Sequence, residues 1–270
     1  MKTILLAALA LGLAAGAPAH ADNEAKLQAL AAGSHRTPAN VARDQFRRPI
    51  EVLRFFGLTD TMTAVEILPG GAAYWTEIMA PYLRDRGVYY AALAEDTTDY
   101  EPARRGNAAF RAKVANDPAR YGKVRTTIFA ADRHAIAPAG TADLVVTFRN
   151  LHNWMERGEA EAAIAAFYKA LKPGGVLGIV DHRGRTDAPQ DPAAKSGYVR
   201  QDYAIALAEK AGFRFAAASE IKANPRDTKD YAVGVWALPP TYRERDKDRA
   251  RYAAIGESDR FTLKFVKPAR

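Results

Sequence analysis

One stretch of the sequence decides the fold: Val65-Glu66-Ile67-Leu68-Pro69-Gly70-Gly71-Ala72-Ala73-Tyr74-Trp75-Thr76-Glu77. It begins as an apolar strand that carries one acidic residue, passes through a glycine-containing turn and continues directly into a helix. In open α/β sheets, ligands bind at the carboxyl ends of the strands, and glycines in the first turn let a ligand approach the backbone closely. The turn at Pro69, Gly70 and Gly71 is therefore a candidate site for a nucleotide-type cofactor.

Short apolar runs alternate with helical stretches on either side of this segment, which is typical of parallel βαβ units. Strands are predicted at Thr63–Leu68, Gly87–Leu93, Val124–Phe129, Ala142–Phe148 and Val176–Val180, with a closing pair at Phe213–Ser219 and Tyr231–Ala237. Helices are predicted at Ala25–Ala32, Arg43–Phe56, Glu156–Leu171 and Gln201–Ala211. The sequence thus predicts an α/β fold: a Rossmann-like, seven-stranded, mostly parallel sheet with helices on both faces. Phe261–Val266 could add an edge strand.

The composition excludes several classes of protein. The 270 residues include no cysteine, so disulfides, thiolate metal sites, iron–sulfur clusters and cysteine nucleophiles are ruled out. Lys and Arg number 39 against 31 Asp and Glu, but the basic residues are interleaved with acidic ones rather than gathered into a stripe. We expect a small-molecule substrate, no nucleic acid and no metal.

The only long apolar run lies at the N-terminus. Lys2 precedes the apolar run Ile4–Leu13, and the small-residue segment that follows ends in Ala19-His20-Ala21. This pattern is typical of a cleavable signal peptide, and it predicts a periplasmic or secreted protein that begins at Asp22 and does not stay inserted in a membrane. The alternative is an uncleaved N-terminal anchor. The predicted organisation is a signal peptide at 1–21, a helical extension or lid at 22–60, an α/β domain at 61–240 and a C-terminal extension at 241–270.

The details of the turn narrow the choice of cofactor. The dinucleotide fingerprint G-x-G-x-x-G is absent, because Leu68 and Ala72 stand where glycines would be needed, and there is no P-loop. The strand, acidic residue and glycine turn resemble motif I of the class I S-adenosylmethionine-dependent methyltransferases. The alternative is a glycine-rich turn that binds no ligand.

Three further segments occur in the order expected of such a sheet. Glu95 and Asp96 follow the second strand, where either carboxylate could accept hydrogen bonds from ribose hydroxyls. A polar cluster follows the fourth strand, from Asn150 to Trp154. The segment from Ala170 to His182 resembles the helix–Lys-Pro-Gly-Gly–strand segment that is frequent in class I methyltransferases. A solvated loop is the alternative for the two acids.

Two histidines at neighbouring strand ends are candidate bases. His152 lies in the polar cluster after the fourth strand, and His182 ends the fifth strand beside Asp181. A carboxylate at a buried strand end needs a partner, for which Arg149 and Arg183 are the candidates. The alternative for either histidine is a hydrogen bond to loop backbone.

Taken together, the motifs resemble those of one bacterial subgroup, the exported proteins called predicted methyltransferases. The resemblance runs from about Ala39 to the C-terminus. It rests on Arg43-Asp44, Arg48-Pro49-Ile50-Glu51, the Glu66 to Gly71 motif, Phe148-Arg149-Asn150, His152-Asn153-Trp154, Asp181-His182-Arg183 and Leu238-Pro239-Pro240. The turn departs from the usual pattern at Leu68 and at Ala72-Ala73.

The resemblance implies a class I fold, S-adenosylmethionine binding and methyl transfer to an unspecified small molecule. The expected catalytic residues are His152, Asp181 and His182, and the expected cofactor-binding residues are Glu66, Pro69, Gly70, Gly71, Glu95, Asp96 and Asn150. Two alternatives remain: a non-catalytic exported binding protein on the same fold, and a nicotinamide-dependent reductase, which the incomplete fingerprint disfavours.

Overall fold

The computed structural model describes residues 17–130 and 134–269, and most of the predicted signal peptide therefore lies outside the described residues. Seven strands form one sheet: β1 (Thr63–Ile67), β2 (Val88–Leu93), β3 (Arg125–Ile128), β4 (Ala142–Phe148), β5 (Leu171–His182), β6 (Arg214–Ser219) and β7 (Arg260–Val266). Their order is β3-β2-β1-β4-β5-β7-β6. All neighbours pair in parallel except β7, which runs antiparallel to both β5 and β6. The predicted seven-stranded, mostly parallel α/β sheet is confirmed.

Helices connect and flank the strands. They are α1 (Ala17–Ala31), α2 (Pro38–Val41), α3 (Asp44–Arg47), α4 (Pro49–Phe56), α5 (Thr76–Leu83), α6 (Glu101–Asn116), α7 (Pro118–Tyr121), α8 (Leu151–Glu156), α9 (Ala160–Ala170), α10 (Gln201–Lys210) and α11 (Arg249–Ile255), with a 3-10 helix at Gly234–Ala237. Within the described ranges, no helix combines the length and the apolar character that crossing a bilayer requires.

The sheet separates two hydrophobic clusters, because successive side chains of a strand point to opposite faces. In β1, Val65 and Ile67 pack with α8, α9 and α10, whereas Ala64 packs with α1, α4 and α5 on the other face. Burial of both faces explains why the strands are nearly continuous apolar runs. Helices cover both faces of the sheet, and the loops that follow the parallel strands lie at its carboxyl edge.

One predicted strand is wrong. Tyr231–Ala237 forms a turn and a 3-10 helix in place of a strand, and the predicted edge segment Phe261–Val266 lies inside the sheet as β7, between β5 and β6. Gly234 has a φ of 64° there, and a Cβ on it would lie 2.3 Å from the carbonyl oxygen of Ser196. The backbone is therefore folded tightly against a neighbouring loop, which an apolar run alone does not reveal.

Two predicted helices are interrupted. The helix predicted at Glu156–Leu171 is preceded by the separate helix α8, and the break falls at Gly158, whose φ is 70°. The helix predicted at Arg43–Phe56 divides into α3 and α4 at Arg48, which has a φ of 47°. Pro49 fits the first position of the second helix, where no backbone N–H is needed.

Candidate functional site

The turn after β1 has the backbone conformation of a glycine-rich loop even where glycine is missing. Leu68, Gly70 and Ala73 have φ angles of 50°, 69° and 48°, all in the left-handed region. The Leu68 side chain packs against the hydrophobic cluster that contains Val65 and Ile67. The two departures from the usual pattern are therefore accommodated by backbone strain and by core packing.

The two glycines of the turn face different surroundings. A Cβ on Gly70 would meet no atom within 4 Å, whereas a Cβ on Gly71 would lie 3.0 Å from Cβ of Ala109 and 3.2 Å from Cα of Gly106. Gly71 thus allows α6 to approach the turn, and Gly70, with the half-buried Pro69 before it, borders open space. Of the two, Gly70 is the one positioned to admit a ligand.

Glu66 lies in the interior of the protein. Its Oε2 accepts hydrogen bonds from Tyr89 Oη at 2.5 Å and Thr76 Oγ1 at 3.1 Å, and the residue is 1% exposed. Burial raises the pKa of Glu66 to about 7, although the hydrogen bonds from Tyr89 and Thr76 act in the opposite direction. In this structure the carboxyl group joins β1 to β2 and α5.

The two acids after β2 have different environments. Asp96 is exposed, and Arg111 donates to both of its oxygens at 2.8 Å while Asn107 Nδ2 donates to Oδ1 at 2.9 Å. The hydrogen bonds from Arg111 and Asn107 hold the pKa of Asp96 below its usual value. Glu95 is half-buried at the end of the strand. Glu95 thus lies nearer the strand end, whereas Asp96 is held against α6.

Asp181 and His152 form a buried hydrogen-bonded pair. Nδ1 of His152 lies 2.9 Å from Oδ1 of Asp181, and the backbone N–H groups of His152 and His182 donate to the carboxylate at 3.1 and 2.7 Å. The hydrogen-bonding partner of Asp181 is therefore His152, and not Arg149 or Arg183 as the sequence predicted. Arg183 pairs with Glu220 at 2.7 Å, and Arg149 donates to His182 and acts on Asp181 only through its charge. A carboxylate that accepts from Nδ1 leaves the Nε2 lone pair of His152 available to accept a proton.

His182 has a partner at each ring nitrogen. Nε2 accepts a hydrogen bond from Nε of Arg149 at 3.2 Å, so Nδ1 carries the proton and donates to Oγ of Ser258 at 2.5 Å. Burial, followed by the positive charge of Arg149, holds the pKa of His182 well below its usual value. Its ring centroid lies 5.2 Å from that of His152. The structure therefore gives His182 a positioning role and leaves His152 as the candidate base.

Asn150 is held by the ends of β1 and β4. Its Nδ2 donates to the carbonyl oxygen of Ile67 and to Oγ1 of Thr147, both at 3.1 Å. The side-chain amide thus ties the loop after β4 to the strand that precedes the glycine turn. Its N–H groups are used in this contact.

The donor atoms of His152, Asp181 and His182 lie within 4.8 Å of one another, which is close enough to consider a metal ion. The chemistry of the group opposes that interpretation. Arg149 donates to one nitrogen of His182 and Ser258 lies at the other, so this residue has no lone pair to offer. A divalent cation would also be repelled by the guanidinium group of Arg149.

The N-terminal segment packs against the glycine turn. Asn40 Nδ2 donates to the carbonyl oxygen of Ala72 at 2.8 Å. Asp44 accepts two hydrogen bonds from Arg36, at 2.5 and 2.9 Å, and another from Tyr74. These contacts place α2 and α3 beside the turn.

The three charged residues that the sequence singled out in this segment are used differently. Asp44 holds Arg36 and Tyr74, and Arg43 donates to Oε1 of Glu257 at 2.5 Å. Arg48 is exposed and pairs with Glu51 on the surface.

A group of basic residues that the sequence did not predict lies beside these strand ends. Arg47, Lys222 and Arg260 are 8%, 5% and 1% exposed, and Glu257 accepts a hydrogen bond from Arg260 at 2.5 Å. Their only sequence signal is the basic excess of the chain, which looked diffuse because these residues come from distant segments.

The comparisons with known proteins bear on the fold. No protein-family model and no curated protein sequence matches the chain. A methyltransferase from Aquifex aeolicus described as SAM-dependent has 16% identity and a TM-score of 0.56, over 90% of this chain and 98% of its own. The cyclase SpnF has 16% identity and a TM-score of 0.56, over 83% of this chain and 81% of its own. The phosphoethanolamine N-methyltransferase 2 of Haemonchus contortus, solved in complex with S-adenosyl-L-methionine, has 14% identity and a TM-score of 0.51, over 83% of this chain and 53% of its own.

The TM-scores, over more than four fifths of this chain, establish a shared architecture. The presence of a cyclase among the similar structures shows that the architecture alone does not fix the reaction. The chain therefore has the fold of the class I S-adenosylmethionine-dependent methyltransferases, as the sequence predicted.

Proposed function

We propose that this protein is an S-adenosylmethionine-dependent methyltransferase that acts on a small molecule. The observation that carries the proposal is a juxtaposition at the carboxyl edge of a class I sheet: the left-handed turn at Gly70 follows β1, and the His152–Asp181 pair follows β4 and β5. Such sheets place ligands at this edge. The turn would receive the cofactor, and the pair would face the acceptor.

The residues present fit the cofactor. The open space beside Gly70 admits a ligand close to the backbone, and Glu95 at the end of β2 is placed to accept hydrogen bonds from ribose hydroxyls. The Asn40 contact with Ala72 and the Asp44 contact with Tyr74 support the turn from the N-terminal side. S-adenosylmethionine, when bound, supplies a methyl group activated by its positively charged sulfur.

The chain's own residues provide alignment and proton transfer. Asp181 fixes the His152 ring, so that Nε2 can take a proton from an acceptor that must lose one. His182, held between Arg149 and Ser258, packs against that ring and limits its rotation. A pre-aligned acceptor and base lower the barrier mainly through positioning.

Calorimetric titration with S-adenosylmethionine and with S-adenosylhomocysteine tests the proposal, using the variants Gly70→Ala and Gly140→Ala. Both glycines have a φ of 69° and neither would place a Cβ within 4 Å of another atom, so both substitutions impose the same backbone strain. We expect cofactor binding by the wild type and by Gly140→Ala, and a loss of affinity in Gly70→Ala. Absence of binding by the wild-type protein, or equal binding by all three, contradicts the proposal.

Gly71 is unsuitable for this test. A Cβ there would press on Gly106 and Ala109 of α6, so a substitution would disturb the fold and the site together.

We also propose that the protein is exported to the periplasm or the exterior by a cleavable N-terminal signal. Lys2, the apolar run Ile4–Leu13 and the Ala19-His20-Ala21 motif support this proposal. A non-catalytic exported binding protein is the competing function, and it predicts ligand binding without turnover.

A further inference from the structure

Five basic side chains gather where the strand ends meet the N-terminal segment, and we call them the basic cluster. Arg149 directly follows β4, Arg260 begins β7, Lys222 follows β6, and Arg43 and Arg47 come from the segment around α3. Burial, and then the charges of Arg43 and Arg149, hold the pKa of Arg47 well below its usual value. Burial, and then the charges of Arg260 and Arg47, do the same to the pKa of Lys222. Residues from four separate parts of the chain therefore act on one another at one place.

Three residues of the basic cluster are buried, and the N–H groups of the cluster are only partly satisfied by hydrogen bonds. Arg47, Lys222 and Arg260 are 8%, 5% and 1% exposed. Among the described residues, the Nε atoms of Arg47 and Arg260 and one terminal nitrogen of Arg43 are buried without a hydrogen-bond partner. Nζ of Lys222 lies 5.3 Å from the centroid of the Trp75 ring, in a cation–π contact. Several N–H groups are thus left to donate to something else.

The acidic groups nearby do not balance these charges. Glu257 accepts hydrogen bonds from Arg43 and Arg260, both at 2.5 Å. Asp181 also acts on Arg149, but its hydrogen bonds come from His152 and from backbone N–H groups. Glu66 also acts on Arg47 through its charge, so three carboxyl groups face five basic groups. This leaves an excess of positive charge in a place where an unpaired charge is costly. A bound oxyanion would remove that cost, since guanidinium groups bind carboxylate and phosphate through paired hydrogen bonds.

The position of the basic cluster connects it to the acceptor. Nε of Arg149 lies 3.2 Å from Nε2 of His182, and the His182 ring lies 5.2 Å from that of His152. The cluster is built mainly on the ends of β4, β6 and β7, whereas the cofactor turn and Glu95 lie at the ends of β1 and β2. We propose that the basic cluster binds an oxyanionic group, a carboxylate or a phosphate, of the molecule that this protein methylates. The inference rests on the proposed function.

Thermal unfolding of the purified protein in phosphate, acetate and chloride buffers of equal pH and ionic strength tests the inference. A ligand that binds only the folded state raises Tm. We expect phosphate or acetate to raise the Tm of the wild type above its value in chloride, and the more effective anion identifies the class of acid. The increment should fall in Lys222→Met and in Arg47→Met to the general stabilisation that such anions give any folded protein. It should keep its wild-type size in the control Lys195→Met, which removes the same charge from an exposed position.

The Tm values of the variants in chloride provide a second measurement. Lys222 is buried among other basic groups, so its replacement by Met should leave the Tm in chloride unchanged or raise it, whereas the loss of a structural cation would lower the Tm. A lowered Tm together with an intact phosphate or acetate increment overturns the proposal.

Titration with S-adenosylhomocysteine separates this inference from the proposed function. No anion effect in a protein that binds S-adenosylhomocysteine overturns the anion site alone. A second outcome has two parts: the Tm increment in phosphate or acetate disappears at saturating S-adenosylhomocysteine, and Lys222→Met binds the cofactor more weakly than the wild type. This outcome assigns the basic cluster to the carboxylate of the cofactor and overturns the acceptor assignment. An anion effect without any cofactor binding overturns the acceptor assignment together with the proposed function.

Discussion

Nδ1 of His152 lies 2.9 Å from Oδ1 of Asp181, which is completely buried and also accepts the backbone N–H of His182. The pair holds the imidazole in the tautomer that can accept a proton at Nε2. Asparagine at position 152 would retain a donor near the position of Nδ1 and would have no base. We therefore expect His152→Asn to keep cofactor affinity and to slow methyl transfer by about 100-fold or more.

Single-turnover rates, measured by mass spectrometry of the methylated product, check this prediction, with calorimetric cofactor affinity measured in parallel. His152→Gln is the matched control, because its amide reaches toward the position of Nε2 and loses the contact with Asp181. Full turnover by His152→Asn would show that the reaction needs no base at this position.

The sequence predicted the sheet well because its signals are local. Apolar runs of strand length, bounded by turns and alternating with helices, predicted β1 to β4 and β6 to within one residue at each end, whereas β5 begins five residues before the predicted start at Val176. The sequence could not predict that β7 lies between β5 and β6, because the order of strands in a sheet depends on which strand edge a distant segment reaches. The apolar run at Tyr231–Ala237 looked like a strand, but it packs against Tyr252 and Ile255 in a separate small cluster.

The site was predicted less completely than the fold. The polar residues at the strand ends were found because parallel strands bring their carboxyl ends to one edge. The hydrogen-bond partners of these residues were not predicted, because Asp181 pairs with His152, which lies 29 positions earlier in the chain, and not with Arg149 or Arg183. The basic cluster was missed for the same reason, because Arg47, Lys222 and Arg260 become neighbours only after the segment around α3 and the strand β7 have packed.

The two acids after β2 can be distinguished by substitution. Asp96 is exposed and held by Arg111 and Asn107, whereas Glu95 is half-buried and lies two residues after β2. Loss of a charge-assisted hydrogen bond to a ribose hydroxyl costs about 2 kcal/mol, or more than tenfold in affinity. We expect Glu95→Gln to weaken S-adenosylhomocysteine binding by about that factor and Asp96→Asn to leave it nearly unchanged. The reverse order, measured by calorimetry, would assign the ribose contact to Asp96.

Processing at the N-terminus should leave the packed part of α1 in place. Leu27 and Ala31 are buried in the hydrophobic cluster with α4 and α5, and Nζ of Lys26 lies 3.5 Å from Oδ2 of Asp60. A product that begins at Asp22 keeps these contacts. We expect the protein expressed with its own N-terminus to be recovered from the periplasm about 2 kDa lighter than the full chain. Intact-mass spectrometry of the fractionated cells checks this. A full-length product in the cytosol would contradict the proposed export.

Glu66 should make the protein less stable as the pH rises toward neutrality. Burial raises the pKa of Glu66 to about 7 from the model-compound value of 4.5, so between these pH values the folded state binds more protons than the unfolded state. The favourable contribution is complete below the unfolded pKa and is lost as the pH rises through the folded one, by an amount on the order of 3 kcal/mol. Glu66→Gln keeps an oxygen to accept from Tyr89 and Thr76 but cannot ionise, so it should unfold with the same free energy at pH 5 and pH 8, apart from the titration of other groups. Urea unfolding of both proteins at the two pH values measures the difference. An equal pH dependence in wild type and variant would show that Glu66 ionises normally in the folded protein.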